Sequence, residues 1–444
     1  MKVSIKTGEK TLGIQTGEGL GVIGVVLIIL YYWFLPSFFL RTLELLVLSA
    51  PLWLPFYVGM VFWKLWVRYR RAHFVQNWQE AVIEIRIPRE IRKSPLAMEA
   101  VFSGLNLTLG ETTFIDRNFL GKARTWFSFE LVSIDGNIHF YIWTHEFFKE
   151  LIKTQIYAQY PEVEIYDVED YTKFVPFDLK KYRIYGCDFR LTNKDPFPLK
   201  SYIDYGLDNP AAKEEEKTNP FASLLEFLAS LPKGHQMWVQ IIIQAHRGSK
   251  RWPWQKYHSV REQTEEILEE MFKNAAARTK RVTGGLEDDQ SGMRTMALTE
   301  AEREMMKVLE RSMSKLNFDC GIRTTYIAET EKFENIILVG MLGIWKQFSS
   351  TSPHYNGLRY TRFLAGFDYP WQDYKDILRN RARRRLYEAY RLRSWFHGPY
   401  KTQPFMLNTE ELATIYHFPG EAVKTPTVPR IPSRRGEPPA NLPV

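Results

Sequence analysis

Few side chains in this sequence have a spacing suited to catalysis. His145-Glu146 begins like the zinc motif H-E-x-x-H, but Lys149 stands where the second imidazole is needed. Cys187 and Cys320 lie in or beside predicted strands, where a thiol is usually packed rather than nucleophilic. The sequence contains no phosphate loop of the G-x-x-x-x-G-K-[ST] type and no G-x-S-x-G elbow. We therefore predict a protein that is not an enzyme and that needs neither cofactor nor metal.

Two basic stretches are candidate binding sites. The first is the segment His246–His258, in which cations alternate with aromatic rings. Its candidate contact residues are Arg247, Lys250, Arg251, Trp252 and Trp254. This pattern suits single-stranded nucleic acid, because bases stack on rings while phosphates meet cations. A membrane surface or a protein partner suits the pattern equally well.

The second basic stretch is a predicted helix over Arg379–Arg393, which includes Arg381, Arg384 and Arg385. The net charge of the chain is +8, and residues 375–393 alone carry eight basic residues against two acidic ones. A charged run of this kind is usually a solvated helix face. The alternative is contact with phosphate groups, either of nucleic acid or of lipid headgroups.

Two uncharged runs near the N terminus predict membrane spans. Gly19–Leu40 is long enough, at ~1.5 Å per residue, to cross a hydrocarbon core of ~30 Å, and Leu45–Trp63 follows it closely. The four residues from Arg41 to Glu44 predict a tight turn, so residues 19–67 would form a transmembrane hairpin. Lysine and arginine flank both runs, which places residues 1–18 and the bulk of the chain in the cytoplasm. We therefore predict a two-span protein of the cell membrane.

The soluble part predicts an α+β fold. In residues 78–170 the apolar pattern gives the order β-α-β-β-α-β, which matches a ferredoxin-like unit. Asp135-Gly136 between two aromatic-rich strands predicts a type I′ hairpin turn. Residues 182–420 predict a second α+β subdomain with long helices and helical insertions, which would be an embellished copy of the first. Residues 424–444 form a Pro/Arg-rich tail that is expected to be extended or disordered.

Several segments together resemble a known family. Residues 407–420 read LNTEELATIYHFPG, and TPTVPR follows at 425–430 and SRRGEPPANLP at 433–443. With MWVQIII at 237–243, RTTYIAETEKF at 323–333 and IWKQFSS at 344–350, these stretches resemble an uncharacterised bacterial family of membrane proteins. That family is similar to the N-terminal anchor and accessory region of conjugation and type IV secretion ATPases. Here the sequence ends at Val444, where the motor domain of the longer members would begin.

The resemblance implies a non-enzymatic, membrane-anchored component of a conjugation-like machine that moves DNA or protein. Its implied partner is a separate cytoplasmic AAA-type ATPase, and a homo-oligomer is also left open. The candidate docking residues are Leu412, Ile415 and Phe418 of a short predicted helix, with Arg430, Arg434 and Arg435 of the tail. In the opposing interpretation this helix packs on its own domain and the tail is solvated. The alternative function is a membrane-tethered nucleic-acid-binding protein without a motor partner.

Overall fold

The structure is a computed structural model that places two compact units in the chain, Met1–Tyr69 and Arg70–Val444. The residues described are 32–34, 36–88, 93–111, 113–208, 219–247, 260–282, 298–350, 352, 354–361, 371, 373–420 and 430–431.

The first described helix, α1, is one continuous helix of 41 residues, Pro36–Gln76. It passes through Arg41–Glu44 without interruption, so the tight turn expected there is wrong. The reason is local: the sequence Arg-Thr-Leu-Glu contains no glycine or proline to end a helix. Most of the run Gly19–Leu40 lies outside the described residues. Within the described part of the chain, α1 is the one helix long and apolar enough to cross a membrane, so it can serve as an anchor with one span.

The second unit contains one ten-stranded sheet with helices around it. Its strands are β1 (Glu80–Pro88), β2 (Trp126–Ile134), β3 (Asn137–His145), β4 (Glu164–Val168), β5 (Tyr182–Leu191), β6 (His235–Ala245), β7 (Asn317–Glu329), β8 (Leu358–Tyr360), β9 (Phe405–Asn408) and β10 (Arg430–Ile431). Its helices are α2 (Leu96–Gly104), α3 (Lys149–Gln159), α4 (Pro220–Ala229), α5 (Val260–Val282), α6 (Glu300–Met313), α7 (Asn335–Gly343), α8 (Ile377–Arg391) and α9 (Thr409–Ile415).

The strands of residues 80–168 lie in the order β4-β1-β3-β2, and each neighbouring pair is antiparallel. The six elements predicted from the sequence are present in the predicted order. Asp135 and Gly136 both have positive φ, as a type I′ turn between β2 and β3 requires. The short edge strand β10 adds to β1 in parallel, with Arg430 opposite Ile87.

The strands of residues 182–360 repeat this arrangement, in the order β8-β5-β7-β6 and again antiparallel throughout. The two halves join edge to edge through β2 and β6, where Glu130 lies opposite Gln240. Helices α5 and α6 are inserted between β6 and β7, at the position where the first half has a two-residue turn. Residues 78–170 and 182–420 are therefore not separate bodies, since they share one sheet.

The sheet has a hydrophobic core on each face, because successive side chains of a strand point to opposite sides. One core packs apolar strand residues such as Ile83, Phe129 and Ile241 against α2, α3, α4, α7 and α9. The other core packs Trp143, Trp238 and neighbouring residues against α8 and the segment that follows it. Both faces of the central strands are thus covered by protein.

Candidate partner-binding surface on helix α8

Helix α8 is amphipathic, with one face in the core and one face in solvent. Leu386, Tyr387, Ala389 and Tyr390 are buried against the sheet. The three predicted contact residues Arg381, Arg384 and Arg385 are all exposed on the outer side. Arg384 pairs with Glu388 of the same helix, with Nε and Oε1 2.7 Å apart. Arg381 and Arg385 stand one turn apart, and none of the described carboxylates pairs with either of them.

A buried ion pair holds the C-terminal end of α8 onto the join between the two halves. Arg393 is fully buried, and its Nε and Nη2 donate to the two carboxylate oxygens of Glu130 at 3.0 and 3.1 Å. Nη2 also donates to Asp170 at 3.1 Å. Gln240 donates from Nε2 to Glu130 at 3.0 Å and to the carbonyl of Tyr390 at 3.1 Å. Strands from both halves therefore bind the segment that ends α8.

Two tyrosines complete the hydrogen bonds of this network. The hydroxyl of Tyr171 donates to Glu130 at 2.7 Å and lies 2.7 Å from the hydroxyl of Tyr390. Burial raises the pKa of both tyrosines well above its usual value, so both stay neutral. Burial opposes the charge of Arg393, but the carboxylates of Glu130 and Asp170 outweigh it and raise its pKa. A buried charge pair with its hydrogen bonds satisfied holds the side chains that form it in one geometry.

Two further arginines tie the sheet to this region. Arg323 of β7 is buried, donates from Nε to Asp188 at 2.8 Å, and lies with its guanidinium 5.0 Å from the ring centre of Trp395. Arg383 of α8 donates to the hydroxyl of Tyr185 at 2.6 Å. Arg383 therefore contacts the sheet, unlike the exposed arginines of the same helix.

The basic-aromatic segment 246–258 is described only at its start. Arg247 is partly buried, and its Nη1 donates to the backbone carbonyl of Glu111. Lys250, Arg251, Trp252 and Trp254 lie outside the described residues. The proposed contact of this segment with nucleic acid stays a prediction.

The predicted docking residues Leu412, Ile415 and Phe418 do not form a surface. All seven residues of α9 are buried, and these three side chains belong to the core beneath the helices. The predicted helix is present, and Asn408 caps it while Glu411 completes a capping box. As docking residues the three are wrong, because the sheet and α2 already cover them. The side chains of Arg430, Arg434 and Arg435 lie outside the described residues.

The histidine that begins the zinc-like motif is enclosed by aromatic rings. His145 packs against Trp78, Trp126 and Trp143, and burial lowers its pKa to about 4. His397 lies 5.3 Å from Trp126, centre to centre, and burial followed by nearby cations lowers its pKa to about 3. Both rings are neutral at pH 7. Within the ranges described, no three His, Cys, Asp or Glu side chains are placed to hold a metal ion.

Sequence reasoning missed Arg393, Glu130 and Asp170, which are far apart in the chain. One signal was available: Glu130 interrupts the apolar strand Trp126–Ile134 at a position that the strand pattern marks as interior. A carboxylate placed there requires a buried cation. The sequence does not say which of its 59 lysines and arginines supplies it.

The fold and surface together define a mixed α+β protein with a large antiparallel sheet, preceded by one long apolar helix. The chain belongs to the family described as a domain of unknown function, DUF8128, whose model matches residues 73–430. The match begins in the last turn of α1 and ends at the first residue of β10, so it covers strands β1 to β9 in full. A comparison with curated proteins found no match.

Proposed function

We propose that this protein is a non-enzymatic, membrane-anchored component of a conjugation-like translocation machine, and that the arginine face of α8 docks a separate ATPase. We define the arginine face as Arg381, Arg384 and Arg385. The observation that carries the proposal is that this face is exposed while the other side of the helix is fixed by the buried Arg393 network. A row of exposed arginines on a helix that is held in place suits a partner that presents carboxylates or phosphates, because arginine can bind both bidentately.

The anchoring part of the proposal is supported by α1. Its apolar run is followed by Lys64, Arg68, Arg70 and Arg71, and such a flank favours the cytoplasmic side. This orientation gives the arginine face access to a cytoplasmic motor. We also propose that the two halves of the sheet are ferredoxin-like units, since each has the antiparallel strand order 4-1-3-2.

The second candidate function is nucleic-acid binding by the same face. The concentration of positive charge at residues 375–393 favours it, because phosphate contacts dominate the affinity of such proteins. In that case binding would weaken steeply as salt rises. Both candidate functions therefore use the arginine face. They differ in the partner that is lost when its charge is reversed, which is an ATPase in the first and a nucleic acid in the second.

The test reverses the charge of the arginine face in the full-length protein. The double variant Arg381→Glu/Arg385→Glu should lose an AAA-type ATPase that cross-links to the wild type in native membranes and is identified by mass spectrometry. The matched control is Lys307→Glu/Lys346→Glu, which makes the same change in net charge at two other exposed positions. Recovery of the ATPase at wild-type level by the arginine variant would reject the proposal. Loss of salt-sensitive binding to single-stranded DNA, with no ATPase in the wild-type sample, would favour the second function.

A further inference from the structure

We infer that residues 113–120, here called the apolar loop, form a second membrane contact that dips into the headgroup region of a bilayer. The inference rests on the membrane-anchored part of the proposed function and does not depend on the ATPase. It concerns the class of partner that this surface fits, which is a lipid bilayer.

The apolar loop has its apolar side chains exposed and its carboxylate buried, the reverse of an ordinary surface segment of a soluble protein. Its four large apolar side chains are exposed: Phe114 by 52%, Ile115 by 60%, Phe119 by 45% and Leu120 by 43%. Its one carboxylate, Asp116, is buried, with 8% of its surface exposed. Contiguous exposed apolar groups on a soluble surface mark an interaction site, since water disfavours them.

The inverted arrangement is fixed by hydrogen bonds inside the loop. Asp116 Oδ2 accepts from the backbone nitrogen of Thr113 at 3.1 Å and from its hydroxyl at 2.7 Å. The other oxygen of Asp116 pairs with Lys122 Nζ at 2.8 Å. Gly121 then ends the helical turn Asp116–Leu120 with a φ of 67°, which favours glycine. The carboxylate thus holds the loop from within, and the apolar side chains point outward.

The apolar loop lies against Arg70, the residue of α1 with which the second unit begins. Arg70 donates from Nε to the carbonyl oxygen of Phe119 at 2.7 Å. The backbone of Arg70 also packs so closely on Gly121 that a Cβ there would lie 2.4 Å from the Arg70 carbonyl carbon. Arg70 comes seven residues after Trp63, where the apolar run Leu45–Trp63 ends. The loop therefore packs on the residues that follow the apolar run.

The charges around the apolar loop fit lipid headgroups. Arg70 and Arg117 stand in or beside the loop, where phosphates of a bilayer surface would lie once the apolar side chains insert. Arg71 and Lys122 also lie there, and they pair with Glu111 and Asp116. Short segments with apolar residues on one side and cations around them bind at the bilayer interface in this way. In the proposed function α1 already tethers the protein to the bilayer, so the loop can bind lipid without a separate diffusional encounter. A second copy of the chain, or another protein, would need one.

The experiment uses full-length protein in vesicles of phosphatidylcholine and phosphatidylglycerol. Single cysteines carrying an environment-sensitive fluorophore are placed at Ile115, Leu120, Val339 and Val58. The natural Cys187 and Cys320 are buried and can remain. Ile115→Cys and Leu120→Cys should show blue-shifted emission and strong quenching by lipids that carry a spin label. Val339→Cys, an exposed apolar position on α7, is the matched control and should show neither effect.

The label at Val58, inside the apolar run of α1, separates the possible outcomes. Quenching at residue 58, with residues 115 and 120 quenched no more than residue 339, would overturn the inference and leave the anchor standing. Blue-shifted emission at 115 and 120 without lipid quenching would also overturn it, because a protein surface would then cover the loop. Absence of quenching at residue 58 would overturn the anchor itself, and this inference with it.

Discussion

Arg393 shows how one buried side chain can define a surface on the far side of a helix. Its guanidinium is fully buried and pairs with two carboxylates that belong to different parts of the chain, Glu130 and Asp170. Without it, the end of α8 would lose its ionic contact with the join between the halves. The exposed arginines of α8 therefore depend on a residue that no partner would touch.

We predict that Arg393→Met destabilises the fold by about 3–5 kcal/mol, because it leaves buried carboxylates without a countercharge. The measurement is chemical denaturation of the purified protein in detergent, followed by tryptophan fluorescence. Arg391→Met is the control, since Arg391 is exposed on the same helix and its loss should change the unfolding free energy by less than about 0.5 kcal/mol. Equal stability of the two variants would show that the ion pair contributes nothing net.

Short sequence patterns predicted the helices and strands well, but they did not predict which parts of the protein pack around each element. The predicted Asp135-Gly136 turn is present, and two helices begin at residue types that commonly cap helices, Asn219 before α4 and Thr299 before α6. Each depends on a few neighbouring residues, which a sequence displays directly. The turn predicted at Arg41–Glu44 is wrong, because the prediction relied on the charges of these residues. None of the four is a glycine or proline that would end a helix.

Helix α9 illustrates why the docking residues could not be assigned from the sequence. Apolar residues at helical spacing show that one side of a helix is covered, but they do not show by what. In α9 the polar residues are buried too, because Glu410 pairs with Arg311 and Glu411 accepts from the backbone nitrogen of Leu199 at 2.6 Å. Those partners lie about 100 and 200 residues earlier in the chain, beyond the reach of a local pattern.

We predict that Leu412→Ala lowers the unfolding free energy by about 2–5 kcal/mol, as truncation of a fully buried leucine does. Leu378→Ala is the matched control, because that leucine is exposed on α8 and its loss should cost little. Denaturant melts of both variants against the wild type decide the matter. A Leu412 variant as stable as the control would indicate that α9 lies at the surface.

The whole molecule could be predicted less well than its parts. The pairing of β2 with β6 joins residues more than 100 positions apart, and α5 and α6 interrupt the second half before its pattern is complete. The corresponding elements of the two halves are therefore separated by different numbers of residues, which makes the halves difficult to align by sequence. Helix α1 also extends into the second unit, which begins at Arg70, and it ends at Gln76.

We predict that a fragment starting at Arg70 unfolds at a higher temperature than one starting at Trp78. Phe74 and Val75 pack on the core of the second unit, and Arg71 pairs with Glu111 at 3.6 Å. Losing the partly buried apolar pair should cost about 1–3 kcal/mol. Thermal denaturation followed by circular dichroism provides the comparison, with both fragments ending at Val444. Identical transitions would mean that the end of α1 adds nothing to the stability of the sheet.

The join between β2 and β6 also has a consequence for ancestry. Two units with one strand order, meeting through the same strand in opposite directions, are related by an approximate twofold axis normal to the sheet. This is the arrangement of an isologous homodimer. Duplication and fusion of a single gene would turn such a dimer into this chain. The two halves of this chain differ in two ways: the first follows α1, and the second contains α5 and α6 between its second and third strands.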